Sequence, residues 1–136
     1  MASKAVMDAV AGRLAAAWTR APVYGPNVPA QMPNDAGAFA SLMFPVADEK
    51  QITLGEPGTR LYREDGAFRV VLSVPLGSGM SPWLEWIDEI RSVFRGVVFD
   101  GVTTWEATPP AINSESDDGA YMLLSVAVPY QFDFIA

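Results

Sequence analysis

Gly77-Ser78-Gly79-Met80-Ser81-Pro82 follows an alternating apolar run and precedes an amphipathic one. A strand, a glycine turn and a helix start are the layout that holds phosphate in many proteins, because the first N–H groups of a helix point at the anion. These residues do not complete it. A G-x-G-x-x-G pattern needs glycine where Pro82 stands, and a P-loop needs a Lys. Pro82 also has no N–H to donate. The stretch reads as a strand-to-helix connection, with Ser81 as N-cap and Pro82 at the first helical position.

Carboxylates are the other residues with chemistry to offer. Glu115, Asp117 and Asp118 sit together in a polar, serine-rich stretch, but their spacing is not that of an EF-hand loop. Glu85, Asp88 and Glu89 suit a solvated helix face, and the early acids suit the positive end of the helix dipole. Nothing in the spacing sets two carboxylates across a cleft, as glycoside hydrolysis requires. The chain has no His and no Cys. That removes Ser-His and Cys-His nucleophile chemistry, thiolate metal sites and disulfides. No catalytic residue, cofactor site or metal site is assigned from the sequence. The net charge of −7 argues against a general nucleic-acid binder, which usually carries a basic face.

The elements that would position these residues follow from periodicity. With 136 residues, half of them hydrophobic, the chain reads as one globular domain, residues 1–136. No apolar run is long enough to span a membrane, and Lys4, Asp8 and Arg13 interrupt what would be the centre of a secretory signal. The expectation is therefore a protein made and kept in the cytoplasm. Val6, Val10, Leu14 and Trp18 recur at helical spacing and predict a helix over Ser3–Arg20. Ala21–Gly37, with four prolines, reads as a long irregular segment, which in a small domain tends to be functional. Ala38–Val46 reads as a strand, Gln51–Leu54 as a short one, and Gly55–Gly58 as a turn. Arg60–Glu64 and Ala67–Val74 flank Asp65-Gly66, a strong hairpin signal. Phe68, Val70, Leu72 and Val74 face one way; Arg69, Val71 and Ser73 face the other.

Trp83, Trp86, Ile87, Ile90 and Phe94 form the apolar stripe of a second helix, closed by Gly96 at C′. Val97–Phe99 and Val102–Glu106 surround a second hairpin signal, Asp100-Gly101. Thr108–Gly119 reads as a polar loop and Tyr121–Phe134 as the longest strand, with Met122, Leu124, Val126, Val128, Tyr130, Phe132 and Phe134 on one face. The fold class is α+β, with two helices packed on one face of a mixed, mostly antiparallel sheet. Ala67–Phe94 is expected to cross over to another strand of that sheet. Trp18, Trp83 and Trp86 belong to the core, whereas Trp105, near a strand end, is a candidate interface residue.

The order of these features resembles the small tail terminator-like proteins of long-tailed bacteriophages and phage-derived gene transfer agents. The residues that carry the resemblance are AFASLMF, LGEPGTRLYREDGAFRVVLSVPLGSG, WIDEIRSVFRG and the closing VPYQFDF, which together span nearly the whole chain. Val23–Asn34 fits the pattern less well. The resemblance implies a non-enzymatic virion protein that forms a ring, typically a hexamer, on the head-proximal end of the tail tube. Such a ring stops tube growth and offers a surface to the head–tail connector. Its partners are its own copies, the tail tube protein and the connector protein. Genomic DNA passes through without specific binding, and no membrane is involved. Six copies at −7 each carry −42, and an acidic conduit repels phosphates. On this view the long loops carry contacts, and Met32, Ile112, Glu115, Asp117 and Asp118 join Trp105 as candidate interface residues. Alternatives are another neck or head-completion protein, or a small carboxylate- or metal-dependent enzyme or ligand-binding module.

Overall fold

Alternating apolar residues make the two longest strands, and these organise the rest. The structure is a computed structural model that describes residues 2–26, 37–75, 77–115 and 121–136, without the side chains of 113–115. Its elements are α1 (Lys4–Ala17), β1 (Val23–Tyr24), β2 (Phe39–Gln51), β3 (Leu61–Pro75), α2 (Ser81–Phe94), β4 (Val98–Phe99), β5 (Val102–Thr104), β6 (Ala111–Glu115) and β7 (Tyr121–Ile135). They form one sheet in the order β1-β2-β3-β7-β5-β4, with β6 also paired to β7. Every pairing is antiparallel except β1 with β2.

The α+β expectation holds, with both helices on one face. Val6, Val10 and Leu14 of α1 and Ile87, Ile90 and Phe94 of α2 are fully buried against Leu42, Phe68, Val70, Leu72, Leu124, Val126 and Val128 of the sheet. Phe68 meets Phe94 edge-on at 4.9 Å between ring centroids, in the middle of this layer. The unit from β3 through α2 does return to the same sheet, at β4 and β5 on the far side of β7.

Several local expectations change. Asp65-Gly66 is not a turn: β3 runs straight through it, pairing Gly66 with Ala47 on one side and Tyr130 on the other. The glycine serves close approach instead. A Cβ on Gly66 would lie 2.3 Å from the Val46 carbonyl oxygen and 2.8 Å from the Tyr130 hydroxyl. The neighbouring strand comes this near where the β2 register shifts between Met43 and Val46, a bulge that contains Pro45. The true β2–β3 turn is residues 52–60, so Gln51 ends β2 and Ile52 to Leu54 form no strand of their own.

Asp100-Gly101 does turn a hairpin. Both residues take positive φ, 47° and 83°, as a type I′ turn demands. The irregular segment Ala21–Gly37 contains β1, which pairs in parallel with Ala40 and Ser41. The expected loop Thr108–Gly119 contains β6, whose backbone is claimed by the free edge of β7.

The helix limits also shift. α1 ends at Ala17 rather than Arg20, because Trp18 turns extended and buries its ring edge-on to Trp86 at 6.0 Å. α2 has Met80 as N-cap, with Ser81 already helical and making no cap bond, because the Met80 carbonyl accepts from Leu84 N at 3.0 Å. Its first turn holds no acid, so Glu85, Asp88 and Glu89 lie too far along to meet the N-terminal dipole. Gly96 does follow the helix with φ 58°.

Gly66→Ala is expected to lower the unfolding free energy by about 1–3 kcal/mol, the range for forcing extra carbon into a filled site. Gly77→Ala, at positive φ but with open space around it, should cost about 1 kcal/mol from backbone strain alone. Urea unfolding of both variants measures this. A smaller loss at Gly66 than at Gly77 would contradict the close-approach role.

Candidate functional site

The glycine connection that opened the question is closed by its own bonds. Gly77 and Gly79 take φ of 80° and 87°. Between them Ser78 Oγ donates to the Pro75 carbonyl at 2.6 Å and accepts from Trp83 Nε1 at 2.8 Å. The turn therefore fixes the first Trp of α2 over the strand it has just left.

Glu64 is the described carboxylate with the deepest burial, at 5 % exposure. It stands on β3 facing the helices, where the apolar alternation would otherwise continue. Its Oε2 accepts from the Tyr130 hydroxyl at 2.7 Å and from the Ser3 backbone N–H at 3.3 Å. Ser3 is the N-cap of α1 but makes no side-chain cap bond. A distant acid thus does part of the capping and ties the helix start to β3 and β7. Burial first, and then the Glu64 hydrogen bond, push the Tyr130 hydroxyl well above its ordinary pKa of 10.0. Beside this group lies a shallow cavity of about 210 Å³ lined by Ser3, Ala47, Asp48, Glu49 and Glu64. Among its described lining residues no cation accompanies the three acids, and the Ser3 Oγ is buried without a hydrogen bond to any of them. Among the described residues no group of acids is arranged to hold a metal ion.

A second hollow, about 380 Å³, is lined by Arg20, Ala21, Pro22, Gly37, Ala38, Trp83 and Trp86. Trp83 and Trp86, expected in the core, are half-buried and meet edge-on at 4.8 Å along its wall. Arg20 lies over the Trp86 ring at 5.6 Å and pairs with Glu89 at 2.8 Å. Its charge is already answered within the chain. Among the described residues, the lining of neither hollow holds an acid bonded to a nucleophile.

The third feature is the sheet face that the helices leave uncovered. Side chains alternate, so Arg63, Asp65, Ala67 and Arg69 of β3 share this face with Ala127, Pro129, Gln131 and Asp133 of β7. Trp105 continues the β5 register opposite Pro129, donating its N–H to that carbonyl at 3.3 Å. Its side chain is 40 % exposed. Met43 pairs with Arg69, Val46 with Ala67 and Val98 with Thr103, all on this same side. Met43, Val46, Val98 and Trp105 are all exposed large apolar residues. At the outer end, Arg63 grips Asp133 at 2.9 Å and holds that carboxyl below its usual pKa range.

The sequence-derived candidates do not form one site. Trp105 is on the open face. Ile112, 58 % exposed, pairs with Leu124 and so stands on the helix side. Glu115 is placed only as a backbone partner of Met122. Met32, Asp117 and Asp118 lie outside the described residues. Sequence reasoning missed Met43, Val46, Arg69 and Val98 as a group. The alternation of β3 put Arg69 opposite the core, but the neighbours that complete the patch come from cross-strand register.

Tyr130→Phe should remove one of the Glu64 partners and cost about 1–3 kcal/mol, the penalty for an under-bonded buried group. The Tyr130 pKa is raised on folding, so its contribution is present below about pH 10 and lost as pH climbs through the folded value. Unfolding at about pH 8 and about pH 11 should show a steeper alkaline loss in the parent than in Tyr130→Phe. Equal losses would contradict the assignment.

Comparison with known proteins adds one family and one fold. A family model described as phage tail terminator protein matches residues 5–130. A solved structure identified only by a sequence number is 24% identical, with a TM-score of 0.61 over 98% of this chain and 97% of that one. No curated protein matches the sequence.

Proposed function

Since the chain belongs to the phage tail terminator family, we propose that it closes the head-proximal end of a tail tube as a ring. The family makes it a structural component of a virion that works against other tail or head proteins. In our reading, copies of the chain, six in the usual arrangement of such proteins, assemble on the last layer of tube subunits and stop further addition. The opposite rim then receives the head–tail connector. DNA crosses the ring without being held, in keeping with the net charge of −7 on each copy.

The observation that carries this reading is the family match over residues 5–130, which takes in every element from α1 to most of β7. The chemistry of the hollows is consistent with it. Two of their charged groups serve the fold, Glu64 at the α1 start and Arg20 on Glu89. No described helix is long and apolar enough to cross a membrane.

The test is assembly with the matching tube protein. Tubes grown with this chain present are expected to stop at one end, with negative stain showing a ring there. Light scattering of the isolated protein should show ring-sized particles at high concentration. A chain that stays monomeric and leaves tube growth unchanged would overturn the proposal.

A further inference from the structure

The open sheet face is the surface most in need of a partner. It collects Met43, Val46, Val98 and Trp105, at 45%, 60%, 72% and 40% exposure, around small residues such as Ala67 and Ala127. Monomeric proteins seldom leave so many apolar side chains on one contiguous face. In their midst stands Arg69, exposed and, among the described residues, without a side-chain hydrogen bond or ion pair. Five strands of this face, over about seven residues of β3, give an area on the order of 500 Å². A standard interface takes about 800 Å² from each partner, so the face is large enough to form most of one.

The helix layer on the other side of the same chain offers the complement. Leu84 and Glu85 project from α2 into solvent, Leu84 at 37% exposure, while Asp88, one turn on, already pairs with Arg91 at 3.0 Å. The outward side of α1 shows Ala11, Gly12, Ala15 and Ala16 along its second half, with the exposed Lys4–Asp8 pair at its start. One side of the molecule is thus apolar with an unanswered cation, and the other carries the exposed Leu84 and Glu85 of α2.

We propose that the occupant of the open face is a second copy of this chain, presenting its helix layer, with Arg69 meeting the exposed carboxylate of Glu85. The two surfaces lie on opposite sides of one subunit, so the contact is heterologous. Repeated with a rotation that divides a full turn, such a contact builds a ring. The inference rests on the ring reading above and names the surfaces that would build it.

The chain has no cysteine, which permits a direct test. Met43→Cys marks the open face and Leu84→Cys the helix layer, both at exposed positions. Treated with a bismaleimide at ring-forming concentration, the double variant should give a ladder of covalent oligomers, while each single variant stays monomeric. Dimers from either single variant would mean a back-to-back contact and overturn the proposal. So would a double variant that forms rings but does not cross-link. Arg69→Glu should reduce ring formation at least tenfold in protein concentration, with unchanged thermal melting. If Arg69→Glu rings form normally and only tube capping fails, the face belongs to the tube protein and the proposal is overturned. Absence of rings in the parent protein would instead remove the reading beneath it, a result visible before any variant is made.

Discussion

The pairing of β3 with β7 is the constraint on which the other elements depend. The two strands, 15 residues each, match along their whole length from Leu61↔Ile135 to Pro75↔Tyr121. Their outer edges receive everything else: β2 joins β3, while β5 and β6 share the free edge of β7 end to end. Because side chains alternate, this one register decides which residues meet the helices and which meet solvent. A slip of one residue would turn Phe68, Val70 and Leu72 outward and put Arg69 into the core. The register is guarded at Gly66, where three strands come too close for any side chain, and at Glu64, whose bonds to Tyr130 and Ser3 exist only in this alignment.

The same register explains why the molecule is one-sided. Both helices come from segments that lead onto or away from the helix-facing side, so hydrophobic burial is completed there. On the other side, Phe39 packs on Tyr24 and Tyr121 at 5.8 Å and 5.2 Å, closing one end of the face. The end bearing Met43, Arg69 and Trp105 remains open. A subunit with one finished face and one unfinished face is suited to association, and a closed ring leaves no unpaired surface at either end of the chain of copies.

Much of this was legible in the sequence because it rests on local periodicity. The stripe Ile87, Ile90, Phe94 and the alternation of Phe68 to Val74 each report their own partner face without knowledge of the rest of the chain. Asp100-Gly101 was readable for the same reason, since a type I′ turn is a two-residue requirement. Asp65-Gly66 carried the same signal and meant something else: its glycine answers Val46 and Tyr130, residues 20 and 64 positions away. β6 was hidden because Ala111 to Glu115 has little strand character and becomes a strand only where the β7 edge needs a partner. The open face was unreadable for a related cause. Its members come from β2, β3, β4 and the residue that follows β5, and only the cross-strand register brings Met43, Arg69, Val98 and Trp105 to one side. The resemblance to tail terminators, carried by element order rather than by any site, was the part of the function that the sequence could express.

The account stands or falls on where the chain sits in an assembled particle. A reconstruction of the tail at its junction with the head is the most direct measurement. The account predicts a closed, rotationally symmetric ring of this chain between the last tube layer and the connector, each copy with its β3–β7 ribbon intact. Density for the chain elsewhere in the particle, or as a single copy without symmetry at that junction, would contradict it.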